Sequence, residues 1–152
     1  MESCEQTLAD LASSIRRVVQ ATRGAVKPPS FVHAIALAHF FNYQVVKGGF
    51  AQLVFNAKGQ YLQDLEEMLI AAGATRAQDY YVKAIRICLD NPETYQSFLA
   101  KSFVEDSELK NALHRVSIEY LRGEPQFLEE IAAFVSASEA PVSAWLERQA
   151  QL

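Results

Sequence analysis

Apolar residues recur at helical spacing along almost the whole chain. Leu8, Leu11, Ile15, Val18 and Val19 trace a first stripe, with Arg16 and Arg17 partly off it. Gly24 to Pro29 breaks that pattern, and Ser30 stands where an N-cap would open a helix from Phe31 to about Lys47. This second helix is apolar nearly all round, the mark of a buried central element. Gly48-Gly49 ends it in a sharp turn, and Phe50 to Phe55 leaves the corner as a short helix.

The pattern continues in short amphipathic segments. Leu62, Leu65, Leu69 and Ala72 share one face, which stops at Gly73. Thr75 and Gln78 form a T-x-x-Q capping box for a helix with Ala77, Tyr81, Ala84 and Cys88 inward. Asn91-Pro92 supplies an N-cap and a first-turn proline ahead of Tyr95, Phe98 and Leu99. Leu109, Leu113, Val116 and Tyr120 line the next helix, closed by Gly123. Leu128, Ile131 and Val135 follow Pro125, and Pro141 opens a final short helix bearing Trp145. No stretch alternates with period two for long enough to make a strand. The prediction is all-α, a single-domain bundle of about seven to nine short helices joined by short connections. It divides into an N-terminal helix and linker over 1–29, a core over 30–125, and C-terminal helices over 126–152. Phe50, Leu65, Leu69, Leu113, Val116 and Ile131 are its expected buried residues.

Composition narrows the chemistry. With 152 residues, 50% apolar and 21% charged, the chain can bury a core and is no disordered segment. It holds no apolar run near the ~18 residues of a membrane span and no secretory leader pattern, so a cytoplasmic location is expected. Cys4 and Cys88 make neither a disulfide framework nor a zinc site. A separation of six puts His33 and His39 about 240° apart around one helix, so they cannot share an ion. His39 reads as a hydrogen-bonded core histidine and Cys88 as a small buried hydrophobe. The phosphate loop, the H-E-x-x-H motif and the nucleophile elbow are all missing. No catalytic residue, metal or cofactor is expected, and the chain reads as non-enzymatic.

Charge is uneven. Residues 1–60 hold three acids against six bases, while residues 61–152 hold fifteen acids against eight bases, within a net charge of −4. The acidic part argues against direct nucleic-acid binding, which needs Lys and Arg facing phosphates. Asp64 and Glu67 are three apart on one helix face, and Glu105, Asp106 and Glu108 gather at a helix start, where negative charge suits the macrodipole. With Glu66 and Asp79 they form a candidate acidic face, although solvated helix faces also carry such charges.

The run Asn42-Tyr43-Gln44-Val45-Val46-Lys47-Gly48-Gly49-Phe50-Ala51-Gln52-Leu53-Val54-Phe55-Asn56 resembles the signature N-x-Q-V-x-N-G-G-F-x-Q-[aromatic]-[aromatic]-x-N of the bacterial DMP19-like family. Ile70-Ala71-Ala72-Gly73-Ala74 and the helix after it are similar to the family's layout. Lys47 replaces an asparagine of the signature, and Leu53-Val54 replace aromatics. Taken on their own, the residues describe a structural corner. The glycines break the helix, Phe50 folds back into the core, and the amides of Gln52 and Asn56 satisfy backbone groups at the break. Asn42 and Gln44 would do the same from the other side, and a binding site made of these amides is the alternative.

The resemblance implies a protein-interaction module engaged in transcription regulation. In its sharpest form it is a dimeric DNA mimic whose acidic face (Asp64, Glu66, Glu67, Asp79, Glu105, Asp106, Glu108) occupies the DNA-binding surface of a basic regulator. Mimicry requires acids in contiguous rows, because duplex DNA carries one charge per ~1.7 Å of axis. The alternatives are an immunity- or antitoxin-like protein, or a structural helical protein without DNA mimicry.

Overall fold

A computed structural model describes residues 3–151. Among them the chain forms seven α-helices and no strand: α1 (Cys4–Ala21), α2 (Ser30–Ala57), α3 (Leu62–Ala71), α4 (Thr75–Asp90), α5 (Pro92–Ala100), α6 (Glu108–Arg122) and α7 (Phe127–Ala150). The all-α expectation holds. The 28-residue α2 runs through the middle, with α1, α3, α4, α6 and α7 packed around it. Its lack of a polar face therefore has a simple cause, since neighbours cover most of its circumference.

Phe41 is the centre of the core. Its ring lies 4.6 Å from Phe127, 6.1 Å from Phe50 and 6.4 Å from Tyr81, which joins α2, α4 and α7 through offset and edge-on aromatic contacts. Phe50, Leu65, Leu69, Leu113 and Ile131 are buried as predicted. Val116 is only half-buried and flanks the core, because the inward position beside it on α6 belongs to Ser117.

Several helix ends differ from the local reading. Pro29, not Ser30, is the N-cap of α2: its carbonyl accepts from the amides of Val32 and His33, and Ser30 is already helical. The two helical segments expected around the glycines do meet there: α2 is kinked at Gly49, whose backbone is non-helical, and the second segment reaches Ala57 rather than Phe55. At α4 the Thr75–Gln78 capping box does not form, since Ala74 is the N-cap and Thr75 lies inside the helix. Asn91 does sit at the N-cap of α5, but its amide turns back and donates to the carbonyl of Ile87 at 2.9 Å, closing α4 instead. Pro141 opens no new helix, because α7 passes straight through it. The carbonyl that loses its partner there belongs to Ala137, which is exposed and can bond water, so the cost of an interior proline is reduced.

Two caps follow short-range rules. Ser3 Oγ accepts the Gln6 amide at 3.1 Å, and Ser107 Oγ accepts the Lys110 amide at 3.1 Å. Gln126 and Glu129 form a reciprocal capping box at the start of α7. No helix among the described residues is long and apolar enough to cross a membrane.

Candidate functional site

The signature segment lies at the break in α2. Gly49 has φ 69° and ψ −169°, a backbone conformation that glycine alone adopts without strain. A methyl at this position would come within 2.5 Å of Ser117 Oγ, so close packing demands glycine as well. Gly48 is helical, but a Cβ there would collide with the Gln52 side chain.

Breaking a helix frees backbone amides, and one of them is Phe50 N–H. Ser117 on α6 accepts it at 2.8 Å and donates its own hydroxyl proton to the Leu113 carbonyl at 2.9 Å. The corner is therefore sealed by a residue 67 positions away.

The signature amides act differently from the expectation. Gln44 Oε1 accepts Gln52 Nε2 at 2.8 Å and Asn56 Nδ2 at 2.7 Å. They bond to each other across the break, not to its backbone groups. Gln44 is buried, Gln52 half-buried and Asn56 exposed, so the cluster runs from the core to the surface. Asn42 does not join it, and its side chain makes no hydrogen bond among the described residues, because it points to the other side of the helix.

A second long-range cap orders α4. The Glu130 carboxylate accepts the amides of Arg76 at 2.8 Å and Ala77 at 3.0 Å, serving as an N-terminal cap supplied by α7. Arg76 ties the same junction to α6. Its guanidinium donates to the carbonyls of Tyr120 at 2.7 Å and Pro125 at 3.1 Å, and stacks on the rings of Tyr80 and Tyr120. Neither Ser117 nor Glu130 was singled out from sequence for these roles. The one available signal was a small polar residue, Ser117, four positions after inward-facing Leu113.

The acidic residues are spread over three regions. On α3, Asp64 faces His33 of α2 at 3.3 Å rather than standing free beside Glu67. Glu66 is half-buried near Tyr81, and its charge adds to the burial that raises the pKa of that phenol. Glu67 is exposed and accepts a bond from Gln63 at 3.3 Å. Asp79, also exposed, is four residues from Lys83 and seven from Arg86, so its stripe on α4 is mixed rather than acidic.

Glu105, Asp106 and Glu108 are all exposed and form the densest group. Only Glu108 belongs to the first turn of α6; the other two lie in the preceding loop. That loop is held from beneath. Phe103 packs against Phe55 and Phe98, and buried Lys110 donates from Nζ to the Phe103 carbonyl at 2.6 Å. Among the described residues His33–Asp64 is the only contact between a basic and an acidic side chain within salt-bridge distance, and no group of His, Cys, Asp or Glu has the arrangement of a metal site.

No curated protein and no solved structure matches the chain. A family model does: that of the DMP19-like proteins matches residues 28–138, from the turn before α2 to the middle of α7. The match takes in the broken helix, the amide cluster, Ser117 and Glu130, and the chain belongs to the DMP19-like protein family.

Proposed function

We propose that this protein is a non-enzymatic protein-interaction module that acts as a DNA-mimic-type regulator, binding the basic DNA-recognition surface of a partner protein. The observation that carries this reading is the unpaired state of its surface acids. Glu67, Asp79, Glu105, Asp106 and Glu108 are exposed, and none has a cationic side chain within ion-pair distance. Carboxylates not neutralised within their own chain are free to meet Lys and Arg of a partner and to steer its approach. The Glu105–Glu108 segment leads this face, since Phe103 and Lys110 hold it in place. Asp64, tied to His33, contributes less. A cytoplasmic homodimer, with two such faces for a two-fold symmetric regulator, completes the proposal.

The test is displacement of duplex DNA from a basic helix-turn-helix regulator, read by fluorescence anisotropy at low and high salt. The expected result is displacement that weakens as salt rises and is lost on reversing Glu105, Asp106 and Glu108 to Lys. Displacement by the triple variant equal to that of the parent would remove this face. No displacement at low salt would leave for that regulator only an interaction module of another kind, such as an immunity protein. Light scattering decides the oligomeric state.

A further inference from the structure

Asn42 is the signature residue that the corner leaves unexplained. It lies with Val46 on a ridge of α2 between two grooves. One groove, of about 110 Å³, is bounded by Glu5, Leu8 and Ala9 of α1 and by His39, Tyr43 and Lys47 of α2. The other, of about 240 Å³, lies where α2 meets the α6–α7 junction and is walled by Phe41, Val45, Leu121, Phe127 and Leu128. We propose that this double groove receives a segment of a partner polypeptide, with one large apolar side chain in the wider groove and its main-chain amide on Asn42. The inference rests on the protein-binding reading above and names a second contact, separate from the acidic face.

Three observations select that occupant. A drug-sized ligand or cofactor needs roughly 300–1,000 Å³, and 240 Å³ falls short of that while admitting a single large side chain. Asn42 offers a donor and an acceptor in one plane with no internal partner, the complement of a peptide unit. Glu5 and Lys47 line the narrow groove from different helices without pairing with each other, so it suits a segment that brings both an acid and a base. The rim carries exposed apolar side chains: Val46 is 62% exposed, Tyr43 49% and Leu121 38%. A large apolar side chain seated in a pocket is the usual anchor of a binding hot spot.

The test pans a phage-displayed random heptapeptide library against the whole protein and measures selected peptides by calorimetry. The expected peptides carry one Leu, Met or Phe, and Asn42→Ala and Val46→Glu each weaken them by about tenfold or more. Neither change should lower the melting temperature, because the Asn42 side chain makes no internal hydrogen bond and Val46 is mostly exposed. Reversing Glu105, Asp106 and Glu108 should leave peptide affinity unchanged, and this separates the inference from the DNA-displacement reading, which depends on those acids. Absence of enriched peptides, equal binding by the Asn42→Ala and Val46→Glu variants, or loss of binding on acid reversal would each overturn it. A lower melting temperature in Asn42→Ala would also overturn it, by making Asn42 a structural residue.

Discussion

Ser117 on α6 closes the break in α2 by accepting the Phe50 amide at 2.8 Å, a bond made between two buried residues. Ser117→Ala leaves that amide without an acceptor where water cannot replace it. The expected loss is ~1–3 kcal/mol, read as a shift in the urea midpoint. Val116→Ala, one position along the same helix but half-buried, should cost less than a fully buried truncation, because its site is already open to solvent.

Gly49→Ala should cost more than the ~1 kcal/mol of an ordinary glycine replacement, since a positive φ and contact with Ser117 act together. Gly48→Ala meets the Gln52 side chain at a helical φ. It should therefore be the milder of the two in a thermal melt, with its cost arising from displacement of Gln52.

Gln44 holds both amide donors on one oxygen, so Gln44→Ala should destabilise more than Gln52→Ala or Asn56→Ala, by ~1–3 kcal/mol. Asn56→Ala, at an exposed position, should fall within ~1 kcal/mol of the parent. A set of denaturation curves ranks the three directly.

Glu130→Ala removes both capping bonds at the start of α4, with an expected cost of ~1–2 kcal/mol. Hydrogen exchange gives the specific signature. The amides of Arg76 and Ala77 should lose protection while those in the middle of α4 keep theirs.

His39 and His114 should make the protein acid-sensitive. Burial lowers the pKa of each below 6.5, helped by Arg16 for His39 and by Lys110 for His114. The unfolded chain then binds more protons than the native one as pH falls through 6.5, so stability falls with pH across that window. Melting temperatures measured from pH 7 to 5 should decline less in a His39→Gln, His114→Gln double variant.

Periodicity was enough for the helices because each stripe buries a face in one shared core, as Leu8, Leu11 and Ile15 show in α1. The ends were harder. Thr75 looked like a cap from its neighbours alone, but Glu130 reaches α4 from 53 and 54 residues away, beyond any local rule. Pro141 has the form of a helix start, because sequence alone does not show that Ala137, whose carbonyl it orphans, is exposed. The glycine corner was legible from the Gly-Gly pair, whereas its sealing by Ser117 was not. The acidic residues could be counted in advance. Their separation, with Asp64 facing His33 and Asp79 in a mixed stripe, depends on how the helices pack.

The side-by-side packing of α1 and α7 has a consequence for synthesis on the ribosome. α1, with Leu8, Leu11 and Ile15, emerges before α7, and the Leu128 carbonyl that accepts Cys4 Sγ–H at 3.8 Å emerges more than a hundred residues after its donor. Until then the apolar stripe of α1 has only part of its cover. Closing this sequence-distant pair is a late and entropically costly step. A nascent chain stalled before α7 would expose that stripe to chaperones, and would be the form of this protein most prone to aggregate.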